Sequence, residues 1–238
     1  MPTSHAPLRL YELVLANGRS ASPFVWRVRY ALAHKGLACE SVPLGRTDLP
    51  RVCGGRFKTV PIIEHGDTAL CESWDIVEYL DRVFPEKALF SGTAENATIR
   101  LLDSWLSVEV LRGMFAVYVL DVHNAARPED QQYFRASREG RLSGRTLEAF
   151  TADRTARLPA LRETLQPLRL HLARFPYLGG VVPGYADYIA LGAFQWVASV
   201  STLPMLAHDD EVMRAWLERG FDLYGGLGRA PPLQPLFE

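Results

Sequence analysis

Ser20 and Ser22 stand just ahead of Pro23, at the end of the segment ANGRSAS (16–22) and the start of a helical repeat. Proline suits a first helical turn, and serine suits the position that caps it. Backbone N–H groups at a helix start favour an anion, and a thiolate is one. A free thiol has a pKa of about 8.5, which a helix N-terminus lowers. A hydroxyl donating to the sulfur favours the charged form further. Either serine could do this, and either could equally be a plain cap.

Two further dipeptides extend the same chemistry. If the Val60-Pro61 bond is cis, the chain turns sharply and leaves the Val60 backbone free to pair with an extended peptide. In trans, Pro61 is an ordinary strand opener. Glu72-Ser73 stands where a strand gives way to a helix. Ser73 could bind a carboxylate at that helix start, and Glu72 could receive an ammonium. Without a ligand the pair reads as a capping serine beside a solvated glutamate. Trp105, Phe115, Tyr118 and Trp196 supply aromatic material from the second half of the chain. Most of it belongs to a core, and one or two rings on a cleft would form an apolar pocket.

These residues need elements to position them. Leu8–Val14 reads as a strand, Pro23 to Gly36 as a helix and Ala38–Leu44 as a second strand. Gly45–Lys58 is an irregular basic loop. Pro61–His65 and Thr68–Cys71 are two short strands joined by Gly66-Asp67, a tight hairpin signal. Ser73 opens an amphipathic helix lined by Ile76, Val77 and Leu80. The order β-α-β, loop, β-β-α predicts a mixed sheet of four strands, the first two parallel. Glu86–Asn96 reads as a linker, followed by one long helix over Thr98–His123. Pro128, Pro159 and Pro167 punctuate the region after it. Asp187–Val200 is a buried helix, and Asp209–Tyr224 an amphipathic one stopped by Gly225-Gly226. The pattern is a small α/β domain followed by an all-α domain.

The chain has 238 residues, 48% of them hydrophobic and 22% charged, so it can bury a core. Its net charge of -1 gives no electrostatic reason for a nucleic-acid or anionic-membrane partner. Arg135, Arg138, Arg141 and Arg145 are spaced as the solvated face of a helix. Cys39, Cys53 and Cys71 have neither CxxC nor metal-ligand spacing, and no metal is expected. No signal-peptide pattern and no apolar run of roughly 20 residues is present. A cytoplasmic setting is expected.

Together, Ser22-Pro23-Phe24, Val60-Pro61 and Glu72-Ser73 followed by IVEYL resemble the glutathione S-transferase superfamily over nearly the whole chain. The resemblance implies a thioredoxin-like domain over 1–87 with a mixed four-stranded sheet, and an all-helical domain over 88–238. It implies a cis Val60-Pro61 bond and glutathione as cosubstrate. Ser20, Lys58, Val60, Pro61, Glu72 and Ser73 would hold that peptide, and Ser22 would face its thiolate. A hydrophobic aromatic small molecule would be the electrophile, and the protein would be a homodimer. The segments ASPFVWRVRYALAHKG, GGRFKTVPII and ADYIALGAFQWVASV are similar to bacterial glutathione-dependent β-etherases and fungal-type relatives. Those enzymes displace a phenolate from β-aryl ethers with the glutathione thiolate.

The chain departs from the family at Gly184, where Ser or Thr usually opens a capping box with Asp187. Its end at Glu238 reads as a shortened C-terminal tail. Two alternatives accompany the transferase expectation. One is thiol-disulfide chemistry, which normally needs a cysteine where Ser22 stands. The other is a non-catalytic carrier of aromatic ligands or an interaction module on the same fold.

Overall fold

The computed structural model describes residues 6–230 and 233–238. Four strands, β1 (Leu8–Leu13), β2 (Cys39–Leu44), β3 (Ile62–His65) and β4 (Thr68–Cys71), form one sheet in the order β2-β1-β3-β4. β1 and β2 are parallel, whereas β1/β3 and β3/β4 are antiparallel. This is the expected topology. The parallel pair follows from the helical crossover α1 (Pro23–Lys35), and the hairpin from Gly66, whose φ of 57° closes the two-residue turn. α2 (Ser73–Val83) then buries Ile76, Val77 and Leu80.

The second half is helical: α3 (Thr93–Trp105), α4 (Arg112–Ala125), α5 (Pro128–Glu139), α6 (Leu147–Thr151), α7 (Arg154–Glu163), α8 (Gln166–Leu172), α9 (Tyr185–Val200) and α10 (Glu211–Gly226). Two expectations need correction here. α3 begins at Thr93, inside the segment expected to be a linker; Glu95 accepts from the Ser91 backbone N–H and hydroxyl and so supplies the start signal. The long helix is also interrupted. Leu106–Leu111 forms a π-helical turn, which shifts the phase of side chains between α3 and α4.

α1 joins the two halves. Val25, Val28 and Leu32 pack into the sheet's core, while Trp26, Tyr30 and Ala31 belong to the core of the helical half. On that second face α1 lies against α9. The approach is close because position 192 is glycine. A Cβ there would sit 2.4 Å from the Pro23 carbonyl oxygen. The loop before α1 is fastened to the same helix. Arg19, 5% exposed, donates to Ser199 Oγ at 2.8 Å and to Gln195 Oε1 at 2.6 Å, and Asn17 donates to the Ser199 carbonyl at 3.2 Å. Lys35 at the other end of α1 pairs with Asp81 at 2.7 Å and donates to the carbonyls of Phe84 and Glu86. Both ends of α1 are therefore fixed, and with them the residue that opens it.

Candidate functional site

Ser22 caps α1. Its backbone is extended, Pro23 occupies the first helical turn, and its Oγ accepts from the Val25 N–H at 3.4 Å. That distance is long for a hydrogen bond, so the hydroxyl is only weakly engaged. Ser20 lies behind it, fully buried. Its Oγ accepts from the Ser22 N–H at 3.4 Å, and its backbone bridges to Val14.

Ser22 lines a cavity of about 470 Å³, a volume suited to a small molecule. Lys58, Thr59 and Val60 share its sheet-side wall with Ser22, Pro23 and Phe24. The Val60-Pro61 bond is cis. The wall from the helical half comes from the π turn and α4 (Ser107, Leu111, Arg112, Phe115), from α5 (Tyr133, Phe134, Ser137, Arg138) and from α9 (Trp196). The interruption of the long helix thus lies on the cavity.

Glu72 and Ser73 sit beside this wall. Thr59, which lines the cavity, donates from Oγ1 to Glu72 Oε1 at 3.3 Å. Glu72 has a φ of 76°, a left-handed conformation that costs a residue other than glycine about 1–3 kcal/mol. Ser73 is 4% exposed at the first turn of α2. The N–H groups of that turn have no partner within the helix; the first helical bond runs from Ile76 N–H to the Glu72 carbonyl at 3.1 Å.

The structure therefore brings Ser22, Lys58, Val60, Phe115 and Trp196 onto one cavity, with Glu72 joined to it through Thr59. It does not bring Ser20, Pro61, Ser73, Trp105 or Tyr118 to the wall. Tyr118 is fully buried in the helical core, and burial pushes its phenol well above the usual range. Trp105 packs against that same core. The reading of the arginines as a solvated face also changes in part. Arg141 and Arg145 are exposed, but Arg138 is partly buried, and it and Arg141 line the cavity.

The model for the glutathione S-transferase N-terminal domain matches residues 18–88. The model for the glutathione S-transferase C-terminal domain matches residues 97–218, more than half of the chain. The chain belongs to the glutathione S-transferase family. It is similar to glutathione S-transferase U12 of Arabidopsis thaliana, with 38% identity over 73 residues, and the match spans only 29% of either chain. Glutathione S-transferase U26 of the same plant is 23% identical over 207 residues, covering 83% of this chain and 80% of the relative. A solved glutathione S-transferase of Ceriporiopsis subvermispora, in complex with glutathione, superposes with a TM-score of 0.78. It is 19% identical, covering 95% of this chain and 99% of that one, and shows the shared fold.

In this member of the family none of the three cysteines lines the cavity, although Cys71 Sγ lies 3.2 Å from Oγ1 of Thr59, which does. Burial pushes the Cys39 thiol up to about 12. Burial and a hydrogen bond to Glu64 push Cys53 up to about 11. Both are poor nucleophiles at neutral pH. Arg46, Arg112, Tyr133 and Phe134 also line the cavity, beyond the residues predicted from sequence. A signal existed for α5: Tyr133, Phe134, Ser137 and Arg138 recur at helical spacing, and the aromatic members mark that stripe as partly covered. Among the described residues, no helix is long and apolar enough to cross a membrane.

Proposed function

We propose that the protein is a glutathione transferase in which Ser22 stabilises the glutathione thiolate for attack on an aromatic electrophile. The observation that carries this reading is Ser22, weakly engaged at the start of α1, sharing a cavity wall with Val60 while aromatic rings stand opposite. The Val60 backbone pairs with the cysteinyl part of glutathione. Glu72 and the α2 N-terminus take its γ-glutamyl ammonium and carboxylate, and Lys58 takes a further carboxylate. Ser20 and Pro61 act from behind, by holding the Ser22 N–H and by shaping the Val60 turn. The functional division falls at 87/88, with glutathione held by 1–87 and the electrophile by 88–238.

The chemistry is a displacement. The thiolate sulfur forms a bond to an electrophilic carbon, and that carbon's bond to its leaving group breaks with the electron pair departing. On a β-aryl ether the leaving group is a phenolate, and we take β-etherase activity as the specific form to test. The protein contributes orientation and thiolate stabilisation; glutathione contributes the nucleophile. Retention on immobilised glutathione, with turnover of 1-chloro-2,4-dinitrobenzene or a β-aryl ether, is the expected result. Retention without turnover of any substrate in such a panel would favour a carrier and overturn the enzymatic reading.

The working unit we propose is a homodimer. Leu101 and Val108 support it, as large apolar side chains 72% and 48% exposed on α3 and the π turn. Sedimentation at micromolar concentration should give twice the chain mass; a monomer there would overturn the proposal.

A further inference from the structure

Five cationic side chains line the cavity, Arg46, Lys58, Arg112, Arg138 and Arg141, and among the described residues no carboxylate does. This is unexpected for a pocket meant for a purely apolar molecule. Guanidinium groups stay charged at neutral pH, so the wall is positive there. Arg46, Arg138 and Arg141 form a connected group. The guanidinium carbons of Arg46 and Arg138 both lie over the Phe134 ring, 4.7 and 5.0 Å from its centre. Stacking on a ring fixes a guanidinium and leaves its edge, with the N–H fork, free for an anion.

These charges oppose one another. Burial, and after it the charge of Arg138, pull Arg46 down to about 10. Burial also lowers Arg138, with Arg141 adding to the effect. Among the described residues none of the three makes an ion pair. Asp130, whose charge partly offsets the lowering of Arg46, is already used. It takes the Arg127 side chain at 3.0 Å and the backbone N–H groups of Arg46 and Thr47 at 2.7 and 3.3 Å. Two mutually repelling, partly desolvated cations, with the exposed Arg141 beside them on the same cavity wall, are a built receptor for an anion.

We propose that the electrophile of this enzyme is an aromatic molecule bearing a carboxylate, held by Arg46, Arg138 and Arg141 while Phe115 and Trp196 cover its ring. This rests on the transferase reading for the word electrophile, and on the cavity alone for the anion. Lys58 lies on the sheet-side wall with Ser22 and is left for glutathione. The reaction is unchanged: the glutathione sulfur bonds to a ring carbon or to the carbon bearing an aryl ether, and chloride or phenolate leaves. The carboxylate takes no part in the bond exchange and serves to orient the ring.

The test separates the two readings. Binding of 3,5-dinitrobenzoate and of the matched neutral 3,5-dinitrobenzamide is measured by calorimetry, with S-methylglutathione saturating so that glutathione's own carboxylates are in place. The benzoate should bind at least about tenfold tighter, as one charge-assisted contact allows. Arg138→Gln and Arg46→Gln should shrink that ratio toward one. Arg141→Gln, at an exposed position, serves if either variant fails to fold. Turnover of 4-chloro-3,5-dinitrobenzoate against its carboxamide, each divided by its uncatalysed rate with glutathione, should show the same preference. Equal binding of acid and amide would overturn the proposal. So would a preference that survives all three substitutions. Preferential benzoate binding without turnover of either chloride would leave the anion site standing and remove the transferase reading.

Discussion

Replacing Ser22 with alanine is expected to lower kcat/KM for an aromatic electrophile about 10- to 100-fold, because a hydrogen bond to a charged group contributes about 1.5–3 kcal/mol. The same change should raise the pKa of the bound glutathione thiol by about one to two pH units. The sign follows from which form the hydroxyl stabilises. A donor aimed at sulfur favours the thiolate, so its loss favours the thiol, and the rate should recover as pH rises toward the new pKa. Glutathione affinity should change little, since the peptide is held elsewhere, at Val60 and the α2 start. A structural effect would look different. Ser22 also caps α1, but its 3.4 Å contact to Val25 is weak, so the stability loss should sit near the low end for caps, about 0.5 kcal/mol. Ser22→Thr keeps a hydroxyl and should recover much of the rate. Ultraviolet absorbance of the bound thiolate against pH reads the effect directly. An unchanged rate and thiol pKa would remove Ser22 from the mechanism.

Asp187→Ala should be the most damaging single change to the fold. The carboxylate is fully buried. It accepts from the backbone N–H groups of Leu178, Gly179 and Gly184 at 2.8, 3.0 and 3.0 Å, and from the Trp216 indole at 2.9 Å. It fixes the start of α9 to the preceding loop and to α10. Burial pushes this carboxyl up, while its four donors pull it down. Alanine would leave those donors without an acceptor, for an expected loss of about 3–5 kcal/mol. Asp187→Asn would keep one acceptor oxygen and lose less. Denaturant unfolding measures both, and a loss below about 1 kcal/mol for the alanine variant would contradict this role. The consequence reaches the cavity, because α9 carries Trp196 and packs on α1.

Gly184 illustrates how far the sequence could be read. Its missing side chain pointed to a weakened cap, and one arm of the capping box is indeed absent. The other arm carries the junction, and its partners Leu178, Gly179 and Trp216 could not be inferred from spacing. What was legible was local. Ser22-Pro23 and Gly36 bound α1, and Gly66-Asp67 sets the β3–β4 hairpin, because caps and turns depend on neighbouring residues. The cavity wall was legible only in part. Phe115 and Tyr118 lie three residues apart on α4, yet one lines the cavity and the other lies in the core. The π turn ahead of them sets the phase, and residue types do not announce it. Arg138 looked like a surface residue because Arg46, which shares the Phe134 ring with it, comes from a distant loop and is brought there only by folding.

The central claim is that glutathione lies along Val60 and the start of α2 with its sulfur at Ser22. The most direct measurement is the structure of the complex with glutathione. The expected result is the sulfur within hydrogen-bond reach of Ser22 Oγ, the cysteinyl backbone paired with Val60, and the γ-glutamyl carboxylate at Ser73. A sulfur directed away from Ser22, or a peptide bound in the arginine-lined part of the cavity, would contradict the account.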